Sequence, residues 1–239
     1  MTDSTTPIAV VTGGSRGLGL ATVTELVRTG WHVVTDARDA DRLTSATAAL
    51  PPTAVTAVTA VTGDITDPAH RQTLAAAAEQ AGGASLVIHN ASELGPSPMP
   101  SLADYPLDAV ERVYAVNVFA PLALTQLLLT QLRAHDGRIV AVSSDAAVEP
   151  YPGWGGYGPS KAALDHLFAI LGAEHPELRV YAFEPGDMNT AMHQAAFPGE
   201  DISDRADPAS VVPALLRLLS SGLPSGRYRG ADLTEAAPA

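Results

Sequence analysis

In the stretch "GGYGPSKAALDHL", Tyr157 and Lys161 stand four residues apart, and Lys161 is the only lysine in a chain of 239 residues. On a helix that spacing puts both side chains on one face. Pro159 between them is tolerated only in a first helical turn, so the pair belongs at a helix N-terminus. A phenol with a pKa of about 10 is a poor acid–base catalyst at neutral pH, and a nearby cation favours its phenolate. An ammonium brings a compact charge with rotatable donors, where the arginines that make up the rest of the basic residues bring a rigid fork. Ser144 lies thirteen residues before Tyr157, at the end of "RIVAVSS", where a hydroxyl can stabilise charge developing on a carbonyl oxygen. Ser143 is its neighbour and rival. Together these residues suit proton transfer to or from an oxygen.

Such a set needs a rigid frame. Short β-branched runs alternate with longer Ala/Leu segments. The strand candidates are Ile8–Thr12, His32–Asp36, a run near Val58–Thr62, Ser85–Asn90, Arg138–Ser144 and Arg179–Pro185. Helical stretches fall near residues 17–29, 39–49, 68–81, 108–134, 157–174 and 208–221. Near-continuous apolar strands alternating with helices imply a parallel sheet covered on both faces. One domain spanning 1–239 is expected, with 1–6 and 232–239 as flexible tails and Glu93–Pro106 as a surface loop. After the first strand, "VVTGGSRGLGLA" opens a helix with Gly13, Gly17 and Gly19. Glycines there allow a tight turn and close approach of the backbone to a phosphate at the helix N-terminus. Asn117 lies within a long helix four residues before Pro121, which has no N–H, so its carbonyl loses the usual intrahelical donor. Asp67 reads as the cap of the helix that starts at Pro68.

The spread of motifs resembles the short-chain dehydrogenase/reductase family: T-G-x-x-x-G-x-G over Thr12–Gly19, then Ser144, Tyr157 and Lys161, in the right order and far apart. The resemblance implies an α/β fold, a doubly wound Rossmann-type parallel sheet of about seven strands that binds a nicotinamide dinucleotide. It assigns the catalytic set to Asn117, Ser144, Tyr157 and Lys161. Tyr157 would donate the proton, Lys161 would lower its pKa and hold the ribose, and the Asn117 carbonyl would hold a water linked to the lysine. Gly13, Ser15, Arg16, Gly17, Leu18 and Gly19 are carried over to the diphosphate and adenosine end, Asp64 and Ile65 to the adenine, and Asn90 and Ala91 to the fourth strand end. Pro185, Gly186, Met188 and Thr190, in "EPGDMNT", are carried over to the nicotinamide, with transfer of the pro-S hydride. In relatives selecting NAD, the ribose-binding acid stands seven residues after the position of Gly30, which here is Ala37. Asp36 falls one short, and a one-residue shift turns a side chain to the other face. Arg38 and Arg16 suit a 2′-phosphate, so NADP(H) is expected over NAD(H).

The chain departs from the family at "HNAS", where Ser92 replaces the usual glycine after His89, Asn90 and Ala91, and at "GRYRGADL", which replaces a terminal Asp-Gly-Gly. A homodimer or homotetramer is implied, and that second departure leaves open which. Residues 191–207 read as a substrate lid, with Met192, His193 and Phe197 on one wall and Tyr151 and Trp154 opposite. A net charge of −12 and a pI near 4.8 argue against a nucleic-acid partner. The absence of cysteine excludes disulfides and thiolate metal sites, and no metal is expected. No apolar run approaches the roughly 18 residues of a membrane span. A cytoplasmic enzyme, with no membrane partner, is expected to interconvert a carbonyl and a secondary alcohol on a small or medium substrate. A lyase or isomerase on the same frame, or a dinucleotide-sensing regulator, are the alternatives.

Overall fold

The computed structural model describes residues 6–51 and 57–234. Seven parallel strands lie in the order β3-β2-β1-β4-β5-β6-β7. They are β1 (Ile8–Val11), β2 (His32–Ala37), β3 (Val58–Thr62), β4 (Leu86–His89), β5 (Arg138–Val142), β6 (Arg179–Glu184) and β7 (Gly226–Arg229). The helices are α1 (Gly17–Arg28), α2 (Ala40–Ala48), α3 (Pro68–Ala81), α4 (Leu107–Tyr114), α5 (Ala120–Ala134), α6 (Tyr157–Glu174), α7 (Ala191–Ala196), α8 (Pro208–Ser220) and α9 (Gly230–Thr234). The sheet is doubly wound, as expected, and forms one Rossmann-type domain.

The apolar strands serve two cores at once. Ala9 and Val11, Leu86 and Ile88, and Tyr181 and Phe183 face the helix layer of α1 and α8. Their neighbours Ile8 and Val10, Val87, and Val180 face α3, α5 and α6. Because side chains alternate across a strand, burial on both faces leaves no polar position, which is why these runs read as continuous. Asp39, Asp67 and Asp207 begin α2, α3 and α8 by accepting the backbone N–H of Arg42, Ala69 and Ala209 at 2.9, 2.9 and 2.8 Å. Each fixes the start of its helix.

Four sequence expectations change. β7 carries the Arg-Tyr-Arg of "GRYR" and pairs only with β6, so it has a half-buried edge pattern without an apolar run. Residues 232–234 are not tail: α9 covers them and Leu233 is buried. The rest of the expected tails, 1–5 and 235–239, lies outside the described residues. The loop Glu93–Pro106 is more than surface, because Leu94 and Tyr105 are buried. The helical stretch Leu107–Ala134 contains a window of mean hydropathy 1.6, long enough by composition to cross a membrane, and half of that window is buried. Leu124, Leu128 and Leu132 within it are fully buried against α3 and the sheet. At its middle, Ala115–Phe119 forms a wider turn in which the Ala120 N–H reaches Ala115 O. Pro121, having no N–H to give, marks where the regular ladder is interrupted.

Candidate active site

Chain order along the sheet reverses between the neighbours β1 and β4, and a crevice opens there beyond the strand ends. A cleft of about 660 Å³ runs along that edge. Gly13, Ser15, Arg16, Gly17, Leu18, Arg38, Asp64 and Ile65 line one end. Asn90 and Ala91 lie midway, and Ser144, Trp154, Tyr157, Lys161, Met192 and His193 line the other end, with Pro185, Gly186, Met188 and Thr190 along the floor between.

At the glycine end, Gly13 and Gly17 sit at φ +72° and +54°, left-handed conformations that favour glycine. A Cβ on Gly19 would collide with the Gly13 carbonyl and the Asn90 amide, so this glycine packs the turn together and is absent from the cleft wall. Asn90 Nδ2 donates to Thr12 O at 2.9 Å and Gly13 O at 3.2 Å, tying β4 to the turn. Asp36 accepts the Gly13 N–H at 2.8 Å, and its other oxygen meets His70 Nε2 at 2.9 Å. Both side chains are almost wholly buried. The carboxylate is thus committed to the turn and to α3, in keeping with its register one residue short of the ribose position. Arg38 remains more than half exposed, with only a loose 3.5 Å contact to Glu93. Burial pushes the Asp64 carboxyl up, but Thr66 and the Arg112 guanidinium at 2.8 Å outweigh it and hold it at about 2.

At the other end, Lys161 is buried and its Nζ donates to Val142 O at 2.8 Å, 5.4 Å from the Tyr157 ring centre. Burial lowers its pKa to about 8, and Asp165 one turn on opposes that. Burial pushes the Tyr157 phenol up to about 12; hydrogen bonds with Ser92 and Ser144 lower it, and the Asp145 and Asp165 carboxylates raise it. Desolvation is the largest of these influences. Ser144 donates to Asp145 Oδ1 at 2.9 Å, whereas its rival Ser143 is turned to Asp165 at 2.7 Å. Arg227 of β7 bonds Asp165 at 3.1 Å, Glu184 at 2.6 Å and the Ser144 carbonyl at 3.0 Å, bracing this end from behind. The wall above is apolar. Trp154 packs edge-on to Tyr157 at 5.7 Å and against Phe197 at 6.0 Å, joined by Leu94, Met99 and Met192.

The profile of the short chain dehydrogenase family matches residues 7–201. The chain belongs to that family. It is 30% identical over 218 residues to a benzil reductase, (S)-benzoin forming, from Saccharomyces cerevisiae, covering 87% of this chain and 80% of that one. It is 32% identical over 203 residues to sepiapterin reductase from Mus musculus, covering 79% and 77%. A short chain dehydrogenase from Shigella flexneri in complex with NADP superposes with a TM-score of 0.88 at 27% identity, covering 94% of this chain and 97% of that one. One from Escherichia coli in complex with NADPH gives 0.87 at 28%, covering 94% and 96%. As a short chain dehydrogenase, the protein is an oxidoreductase of the dehydrogenase or reductase kind.

One further expectation shifts within this short chain dehydrogenase. Tyr151 is exposed, bonded to Asp145 at 2.9 Å and stacked edge-on behind Trp154, so it does not line the cleft. The buried Asn117 side chain acts as a clamp: its amide donates to Glu93 O and Ser160 Oγ, both at 2.9 Å, and its oxygen accepts from Ser92 and the Glu93 N–H. Arg42, Arg112, Leu94 and Asp187 line the cleft without having been singled out. Only the arginines left a signal, as cations flanking a strand end and an expected adenine site.

Proposed function

We propose that the protein is an NADP(H)-dependent carbonyl reductase, reversible as an alcohol dehydrogenase, acting on a small or medium uncharged ketone with an apolar or aromatic substituent. The convergence of the Tyr157 and Ser144 hydroxyls with Lys161, beneath an apolar wall and in line with a glycine turn, carries this reading. The donor set suits a dinucleotide. Left-handed glycines leave backbone at the surface of the turn, and Arg16, Arg38 and Arg42 line the cleft there. Asp36, turned inward, presents no carboxylate against a 2′-phosphate. The nicotinamide, when bound, supplies the hydride.

Ser144 would orient the substrate oxygen and stabilise its developing charge. Tyr157 would give that oxygen its proton, and Lys161 would hold the ribose and balance the phenolate. Trp154, Leu94 and Met192 would exclude water and select an apolar flank, while Asp145 and Asp187 disfavour anions. The test is NADPH consumption against a ketone panel including benzil, with both cofactors titrated on wild type, Arg38→Ala and Tyr157→Phe. Arg38→Ala should lose NADPH affinity by about 1.5–3 kcal/mol and leave NADH unchanged. Tyr157→Phe should lose at least about 10²-fold in kcat yet still bind NADPH. Equal affinity for NADPH and NADH in wild type would end the cofactor assignment, and an active Tyr157→Phe would end the acid–base assignment.

A further inference from the structure

The hydroxyl of Ser144 has only one proton, and the fold has already committed it. Ser144 Oγ lies 2.9 Å from Asp145 Oδ1, and a carboxylate only accepts, so the serine is the donor. One of its lone pairs takes the Ala146 N–H at 3.2 Å. What remains for a substrate is a single lone pair. The carboxylate is itself fixed from two sides, its Oδ1 accepting the Ala146 N–H at 2.8 Å and its Oδ2 the exposed Tyr151 hydroxyl at 2.9 Å. Arg227 holds the Ser144 carbonyl at 3.0 Å, which steadies the backbone that carries the pair. Ser144, Asp145 and Tyr157 all line the reactive end of the cleft.

A serine held this way distinguishes the two forms of a carbonyl/alcohol pair. The hydroxyl of a secondary alcohol can donate to the remaining lone pair of Ser144 while its oxygen accepts from the Tyr157 O–H. A ketone has no proton to give, so its oxygen would face that lone pair unless the serine hydroxyl left Asp145 and turned. Hydrogen bonds to ionised groups are roughly twice as strong as neutral ones, which makes the turn costly. We infer that Asp145 is a positioning residue: it holds the Ser144 proton, sets the resting cleft to receive the alcohol, and admits the ketone only as Ser144 turns to the substrate oxygen. No proton changes owner in this relay; it orients the groups between which hydride and proton pass. The inference rests on the proposed carbonyl/alcohol chemistry at Tyr157 and Ser144.

Both directions of the reaction share one transition state, so the effect is read from binding and not from rates. Two complexes that cannot turn over serve as probes, 1-phenylethanol on the protein with NADPH and acetophenone on the protein with NADP, each titrated by calorimetry at neutral pH. Asp145→Asn keeps an acceptor oxygen for Ser144 and Ala146 but removes the charge, so the serine turns more readily. The ratio of the two dissociation constants should shift toward the ketone by about fivefold to tenfold, the difference between a charged and a neutral acceptor. In a Ser144→Ala background the same Asp145→Asn change should leave the ratio where it was. A merely structural disturbance would weaken both ligands alike. An unmoved ratio, a shift toward the alcohol, or an equal shift without Ser144 overturns the role of Asp145 alone. A wild-type protein that holds NADPH and binds neither probe overturns the aryl-ketone reading on which the inference rests.

Discussion

Replacing Asp36 by alanine separates two readings of the carboxylate at the end of β2. In one it braces the glycine turn; in the other it recognises the cofactor ribose. Two contacts are lost, the Gly13 N–H at 2.8 Å and His70 Nε2 at 2.9 Å, and both groups are left without a partner in a site sealed from water. A hydrogen bond to a charged group contributes about 1.5–3 kcal/mol, so the pair together supports a loss of about 3 kcal/mol. In a domain of this size each kcal/mol shifts Tm by about 2–4 °C, giving a fall of about 6–12 °C. Asp36→Asn, which retains an acceptor for Gly13, should recover about half of that loss. Because the turn loosens for any dinucleotide, NADPH and NADH should weaken by the same factor. The assay is thermal denaturation combined with titration of both cofactors. If Tm holds while NADH affinity alone collapses, or NADPH affinity improves, Asp36 reads the ribose and the bracing role is wrong.

Lys161 should trade stability for activity. Its pKa falls from 10.5 to about 8 on burial, so at neutral pH the folded state carries a desolvated cation at a cost of roughly 3 kcal/mol. Between about pH 8 and 10.5 the unfolded chain binds more protons at this residue, so this contribution makes stability rise with pH; above pH 10, ionisation of Tyr157 in the unfolded chain acts the other way. Lys161→Met should therefore be inactive and more stable by about 2 kcal/mol at pH 7, after losing the bond to Val142 O, with the gain shrinking from pH 8 to 10 in thermal melts. Lys161→Arg should also be nearly inactive, because a longer planar fork must fit a fully buried slot; retention of most activity would reduce the lysine to a generic cation. Arg227→Leu leaves Asp165 and Glu184 without their cation and should cost on the order of 3 kcal/mol and lower kcat through Ser144; an unchanged melt and rate would remove the brace.

The five central strands were legible because burial on both faces demands apolar runs, and the same demand is absent from the edge strand β7 with its Arg-Tyr-Arg. Spacing put Tyr157 and Lys161 on one helix face, and the family resemblance added Ser144 to them. The register count that set Asp36 aside from the ribose agrees with its inward bonds, yet His70, the partner that holds it, lies 34 residues away and left no local trace. The four hydrogen bonds of the Asn117 side chain were equally hidden, since they join α6 and the loop after β4 to one amide. The raised phenol could not be read at all. Its cause is the depth at which the fold buries Tyr157, and depth is a property of the assembled domain.

The place of Arg227 also has a consequence in time. β1 to β4, which carry the glycine turn and Asn90, are synthesised first, and β7 follows every other strand in the chain. In a growing chain Asp165, Glu184 and the Ser144 carbonyl therefore await their shared cation until the end. Domains generally fold as units, so the domain waits for its last strand. The last strand to emerge is thus the one that locks the chemical end, and a chain stopped just before Gly226 would lack the cation that braces it.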